Sequence, residues 1–277
     1  MRDSLETIGR SLIHHGEYND RVYLMKLHED DRNEIVRSLA ALACARGYSK
    51  IFAKIPSWAL ESFLADGYVL EARIPGFYAG GDDVCFMGKY LAESRSQEQE
   101  AALVRDVLVA AREKAADSTH LLLPEGFTIR SARAEDAEEM ASIYCEVFAS
   151  YPFPIHDPAF LQAAMKDSTQ FFGVWDGNRI AALSSAEMDS CSASAEMTDF
   201  ATHHTYRGKG FALHLLQHME GAVGGRGIRS LFTIARAYSY SMNITFARNG
   251  YRYGGTLTNN TNIGGRLESM NVWYKII

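Results

Sequence analysis

Thr198-Asp199-Phe200-Ala201-Thr202 leads, five residues on, into Arg207-Gly208-Lys209-Gly210-Phe211-Ala212. The first segment belongs to a stretch, Ser194 to Thr202, that reads as a strand. The second opens a helix with Ala212, Leu215, Leu216, Met219 and Val223 on one side. A glycine-rich turn from strand to helix makes an anion cradle. Glycine lets the backbone approach a ligand closely. The first helical N–H groups have no internal partner, and the helix dipole adds positive charge there. A pyrophosphate suits such a site. Such turns without a ligand are also common, so six residues alone leave the anion open. The spacing is neither the nucleotide P-loop nor the three-glycine dinucleotide fingerprint.

Outward from this turn, Phe127–Ser131 reads as a strand and 134–149 as a helix bearing Met140, Ile143, Tyr144 and Val147 on one face. Tyr151–Pro158 holds three of the six prolines and is a shaped loop, followed by a short helix to Lys166. Asp176-Gly177-Asn178 is the turn of a hairpin, 171–175 with 179–187. After the signature helix come a strand (228–235), a helix (239–248) and two closing strands (251–257 and 269–276). The first half repeats the order in simpler form: strands at 21–27, 49–55, 68–73 and 84–91, with helices after Asp31 and at 58–65. Phe63, Gly67 and Tyr68 recur at one constant offset as Phe246, Gly250 and Tyr251. Two copies of one unit are expected, the first degenerate. The expected divisions are 1–93, a connecting helix and linker over 94–125, and 126–277. The Ala- and Glu-rich stretch from Ser94 carries the connecting helix, and the boundary falls at 116–126.

The 277 residues allow about two domains. Hydrophobic residues at 47% and charged residues at 22% exclude a disordered chain, a collagen-like fibre and a coiled-coil rod. A net charge of −6 disfavours a general nucleic-acid binder and tolerates a cationic small substrate. Cys44, Cys85, Cys145 and Cys191 form no CxxC pair and read as reduced thiols of a cytoplasmic protein. No apolar segment is long enough to span a bilayer, and the first residues do not read as a signal peptide.

Arg207-x-x-Gly210-x-Ala212, with those elements around it, resembles the signature of the GNAT N-acetyltransferases over about Phe127 to Ile277. The resemblance implies an α+β fold (α/β/α), the GNAT acyl-CoA N-acyltransferase fold, with a twisted mixed sheet flanked by helices. It implies acetyl-CoA as donor. The pyrophosphate would lie on the amides of Arg207, Gly208, Lys209, Gly210, Phe211 and Ala212, with the pantetheine along Phe200, Ala201 and Thr202. The family's CoA-contacting asparagine would fall at Ser239, with Asn243 one turn later. Thr198-Asp199-Phe200-Ala201-Thr202, Ile234-Ala235-Arg236-Ala237, Met242-Asn243, Leu257-x-Asn259-Asn260 and Glu268-Ser269-Met270-Asn271-Val272-Trp273 resemble the beta-lysine N-acetyltransferases, and so does the first half. That branch implies acetylation of the terminal (N6) amine of beta-lysine, giving the compatible solute N-epsilon-acetyl-beta-lysine, an osmoadaptation function.

Amine acetylation needs a base, because a free alkylammonium is protonated at pH 7. The resemblance puts Glu196 in that role, eleven residues before Arg207; a solvated strand carboxylate is the bland alternative. Asp199, read on the opposite strand face, is the second candidate, as base or as partner for the substrate ammonium. Glu187 is a weaker third. The tyrosine that many relatives place before the Gly-aromatic pair is Phe246 here, which cannot donate a proton. Tyr238 and Tyr240 stand as substitutes. Arg236, Asn259, Asn260, Glu268 and Asn271 are candidates for recognising a carboxylate and two amines, although Asn259–Asn262 reads equally as a turn. No metal is expected: His214 and His218 lack the Glu of a His-Glu-x-x-His pattern, and His203 and His204 read as cleft rim. The first half lacks the glycine turn, and its acidic Leu27–Asn33 stretch would repel an anionic donor.

No cysteine lies in the signature strand or turn, so direct attack in a ternary complex is expected. The rivals are the same chemistry on lysine, a polyamine or an aminoglycoside, a non-catalytic acetyl-CoA sensor, or a protein-modifying enzyme using the proline-rich loop as a groove. Expected partners are the small amine alone, without nucleic acid or membrane; a homodimer is left open.

Overall fold

Two strand–helix–strand crossovers organise the chain, and this computed structural model describes residues 3–115, 122–149 and 151–277. β1 (Ser4–Ile8) and β2 (Ser11–Gly16) form an antiparallel pair leading to β3 (Arg21–Lys26). Helix α1 (Ile35–Arg46) carries the chain to β4 (Lys50–Pro56), parallel to β3. It ends on Gly47 in the left-handed conformation, as its position after the last apolar residue predicts. Then come α2 (Leu60–Ala65), β5 (Val69–Ile74) and β6 (Val84–Tyr90). Two helices connect the halves, α3 (Glu93–Ser96) and α4 (Ala101–Lys114).

The second half begins with β7 (Phe127–Ser131), α5 (Ala137–Val147) and α6 (Pro158–Lys166). The hairpin β8 (Thr169–Asp176) and β9 (Arg179–Asp189) leads to β10 (Ser194–Thr202). Helix α7 (Phe211–Gly224) then crosses to β11 (Ser230–Arg236), parallel to β10. The chain closes with α8 (Tyr240–Arg248), β12 (Arg252–Ile263) and β13 (Arg266–Ile276).

All thirteen strands form one mixed sheet, ordered β1-β2-β3-β4-β6-β5-β12-β13-β11-β10-β9-β8-β7. The order is a mirror: β3-β4-β6-β5 on one side answers β10-β11-β13-β12 on the other. The equivalent strands β5 and β12 meet antiparallel at Ala72 and Gly255. Gly255 has φ +145°, and a Cβ there would lie 2.1 Å from the Glu71 carbonyl oxygen, so only glycine fits this seam. The repeated triplet packs alike in both halves. Phe63 meets Tyr68 edge-on at 4.9 Å, Phe246 meets Tyr251 edge-on at 5.1 Å, and Gly67 and Gly250 share φ +80°.

Each half buries one sheet face under its own helices. Val22, Leu24, Ala53 and Ile55 pack against Ile35, Leu39 and Phe63, while Ala195, Met197 and Leu231 pack against Leu215, Met219 and Phe246. The two opposite faces meet each other. Tyr23, Phe52 and Phe86 of the first half share a core with Phe232, Met270 and Val272 of the second. Phe77 lies edge-on to Phe232 at 5.4 Å, the Ser230 hydroxyl donates to the Phe77 carbonyl at 3.1 Å, and Lys26 pairs with Asp189 at 3.3 Å.

Several sequence expectations need correction. No strand is read from the sequence at β1 or β2: β1 is largely exposed, and Ser11-Leu12-Ile13-His14-His15 of β2 buries both histidines along with Ile13, without the alternation of a half-buried strand. Asp31 does not cap α1; its carboxylate accepts the Arg10 amide at 2.8 Å and the Ser11 hydroxyl at 2.6 Å. The connecting helix is broken between Ser96 and Ala101, where Asn259 binds the freed Arg95 and Gln97 carbonyls. The boundary read at 116–126 lies in part outside the described residues.

Candidate active site

β10 and β11 pair only where Ser194–Glu196 faces Ser230–Phe232. Beyond this both strands continue, to Thr202 and Arg236, without pairing with each other. The gap exposes a backbone edge of β10 over 197–202, where an extended chain can add as a strand. At its mouth Gly208 (φ +81°) and Gly210 (φ +76°) turn the chain into α7. The Leu213 and His214 amides bond back to the Gly210 carbonyl, so the Phe211 and Ala212 amides precede the first helical bond. Phe211 is buried on Phe127, with ring centroids 4.8 Å apart, which fixes the turn on the sheet. A cradle of amides beside an open strand edge fits a pyrophosphate joined to an extended amide-containing arm. Phe200, Ala201 and Thr202 lie on that edge.

Glu196 faces Glu187 across the β9–β10 pair. Partners in an antiparallel pair share a face, so both carboxyls rise from one side of the sheet. Asp199 joins them, contrary to the simple alternation read from the sequence. The register skips between Thr198 and Ala201, and Asp199 has φ +55°. This bulge swings its carboxylate onto Ser185, whose hydroxyl donates at 2.6 Å, and onto the Tyr151 hydroxyl at 2.5 Å. Burial raises the pKa of all three carboxyls above the ordinary range; neighbouring carboxylates push Glu187 further, and Lys54 opposes the rise at Glu187 and Glu196. For Asp199 the two hydroxyl bonds oppose it. Glu187 is open to solvent although protein surrounds it, as expected for the floor of a hollow.

Other expected residues have structural partners. Asn243 is fully buried: its amide nitrogen donates to the Arg236 and Ser239 carbonyls, and its oxygen accepts Asn271 and Trp273. It therefore faces the core rather than the cleft, and Asn271 is held in the same network. Asn259 and Asn260 are buried at the junction of the halves, their carbonyls bound by Arg95 and Arg21. Arg236 and Glu268 form a two-pronged ion pair at 2.7 and 2.8 Å. Ser239 caps α8 by accepting the Met242 amide at 3.4 Å. Tyr238 donates to Glu98 at 2.7 Å, and its pKa is raised by burial and by that carboxylate. Tyr240 is exposed. Phe246 is fully buried against Phe200 and Tyr251.

His214 is buried and His218 stacks edge-on to Phe172. His203 and His204 both pair with Glu146 at the surface, close enough together to hold an ion. Sequence reading missed Tyr151 as a partner of Asp199, and it missed Lys54 altogether. Tyr151 sits in a loop read only from its prolines; nothing near Lys54 in the chain signals a site.

The open strand edge beside a glycine-lined turn is the arrangement of an acyltransferase, with three carboxyls gathered next to it. Residues 137–251 match the Acetyltransferase (GNAT) family. The chain is 38% identical, over 97% of both sequences, to a beta-lysine N(6)-acetyltransferase of Methanococcus maripaludis. It is 31% identical to the N-acetyltransferase YodP of Bacillus subtilis over 99% of each. A beta-lysine N(6)-acetyltransferase of Methanosarcina mazei is also 31% identical, over 88% of this chain and 97% of the relative. A solved acetyltransferase-class structure from Acinetobacter baylyi ADP1 superposes with a TM-score of 0.50 at 14% identity, covering 57% of this chain and 95% of that one. The chain belongs to the GNAT acetyltransferase family, whose donor is acetyl-CoA.

Proposed function

We propose that this enzyme transfers the acetyl group of acetyl-CoA to the N6 amine of beta-lysine, giving N-epsilon-acetyl-beta-lysine, a compatible solute. The carboxylate cluster of Glu187, Glu196 and Asp199 beside the β10–β11 gap carries the reading. It suits an acceptor with two ammonium groups, and the two relatives named for this reaction support it along nearly their full length.

Bound acetyl-CoA would supply an activated thioester. The Phe211 and Ala212 amides would hold its pyrophosphate, and the free edge of β10 its pantetheine arm. Glu196 takes a proton from the acceptor ammonium. Its raised pKa brings it nearer to the amine's own and to neutral pH, where such a transfer is efficient. The neutral amine then attacks the carbonyl directly; the N–C bond forms, the C–S bond breaks, and the second proton shed by the nitrogen goes to the departing sulfur, giving the amide and the CoA thiol. Tyr240 is exposed, whereas the Tyr238 hydroxyl already donates a hydrogen bond to Glu98. Asp199, doubly hydrogen-bonded, shapes the bulge and adds negative charge for the ammonium.

The first half is a non-catalytic copy of the unit, and the reaction needs no metal, nucleic acid or membrane. The chain acts in the cytoplasm; no helix among the described residues is long and apolar enough to cross a membrane. Thiol release from acetyl-CoA against beta-lysine, lysine, ornithine, spermidine and a peptide, with NMR of the product, tests the proposal. Turnover confined to beta-lysine with acetylation at N6 is the expected result. Preference for another amine would overturn the acceptor, and acetyl-CoA binding without turnover would favour a sensor.

A further inference from the structure

Lys54 projects from β4 of the first half into the hollow between the halves. Its ammonium lies 5.6 Å from the centre of the Phe232 ring. Phe232 is the register partner of Glu196 on the adjoining parallel strand, so Lys54 stands across the hollow from the proposed base. Lys54 is half-buried, and among the described residues it forms no ion pair. The other cations at this junction are engaged. Lys26 pairs with Asp189, Lys50 with Glu71, and Arg21 and Arg95 bind backbone carbonyls.

The geometry points to Lys54 as the residue that binds the carboxylate of the amino-acid acceptor, which makes the first half a wall of the acceptor pocket and the source of its selection for amino acids over plain polyamines. This rests on the acceptor reading above. The hollow holds an excess of carboxylates, suited to ammonium groups, and among the described residues Lys54 is the cation there that is free of a direct ion pair. Glu196, Asp189 and Glu187 act on this half-buried ammonium without forming a direct ion pair, and an anion arriving with the ligand would bond it directly. Burial pulls the Lys54 pKa down against the opposing pull of the nearby Glu196, Asp189 and Glu187 carboxylates; a bound carboxylate would draw it further back up.

The test compares kcat/KM for beta-lysine with that for 1,4-diaminopentane, the same molecule without its carboxylate, in the wild type, Lys54→Met and Lys54→Arg. The ratio should fall by about tenfold or more in Lys54→Met, the size of one charge-assisted hydrogen bond, and largely persist in Lys54→Arg. An unchanged ratio in Lys54→Met overturns the inference and leaves the acceptor reading standing. A wild type that prefers 1,4-diaminopentane overturns both. If the wild type prefers another amino acid, that acceptor and its decarboxylated analogue replace the pair, and the same ratio decides. Should Lys54→Met fail to fold, Lys54→Gln serves.

Discussion

Glu187 and Glu196 stand directly opposite one another on β9 and β10, two carboxyls on one face of the sheet. At such a position Cβ atoms are roughly 5 Å apart, close enough for one negative charge to oppose the other. Burial first, and neighbouring carboxylates second, let the pair hold a proton at a pH where isolated carboxyls have lost theirs.

Glu196→Gln should lower kcat by about 10²- to 10⁴-fold, the usual contribution of a positioned base. KM for acetyl-CoA should change little, because the proposed donor site is the turn and the strand edge. Steady-state thiol release measures both. A variant with near-normal kcat would remove Glu196 from the mechanism.

The acid limb of kcat/KM should lie well above the ordinary carboxylate range. The base works ionised, and its raised pKa means that activity is lost as pH falls through that value. Asp199→Asn removes a carboxylate that raises the Glu196 pKa, so Glu196 ionises more easily and the limb moves to lower pH. The apparent values belong to the coupled group. A limb that stays in place would mean that Asp199 does not act on the base.

Gly208→Ala should weaken the donor and spare the fold. A Cβ there meets nothing within 4 Å, but φ is +81°. The strain costs about 1 kcal/mol, and relieving it moves the amides that cradle the pyrophosphate. KM for acetyl-CoA should rise severalfold with KM for the amine little altered.

Lys50 and Glu71 form a fully buried ion pair, with the Lys50 ammonium 2.9 Å from both carboxylate oxygens and 2.8 Å from the Thr258 carbonyl. Lys50→Met strands a buried carboxylate and should cost about 3–5 kcal/mol. Adding Glu71→Gln should recover part of that loss. Urea unfolding of both variants reads the difference.

Where chemistry is local, the sequence is a good guide. The hairpin around Gly177 and the glycines that start α7 or end α1 stand where expected, because their backbone geometry depends on immediate neighbours. The repeat of Phe63-Gly67-Tyr68 at Phe246-Gly250-Tyr251 marks identical packing. Asp199 escaped because a bulge reverses strand alternation, and a non-glycine residue with positive φ leaves no pattern. Asn259 and Asn260 read as substrate contacts, whereas they bond residues more than 160 positions away. Lys54 escaped for the same reason: its place beside Glu196 arises only when the sheet folds back on itself.

The seam at Gly255 joins equivalent edges of two similar units, the arrangement by which two subunits of a symmetric dimer would share a sheet. Here both units lie on one polypeptide, so the pairing is intramolecular. Assembly of the Lys54 wall against the Glu196 wall therefore does not depend on encounter between molecules, and specific activity should be independent of dilution. One unit is also freed to drift in sequence, keeping only the side chains that serve its partner.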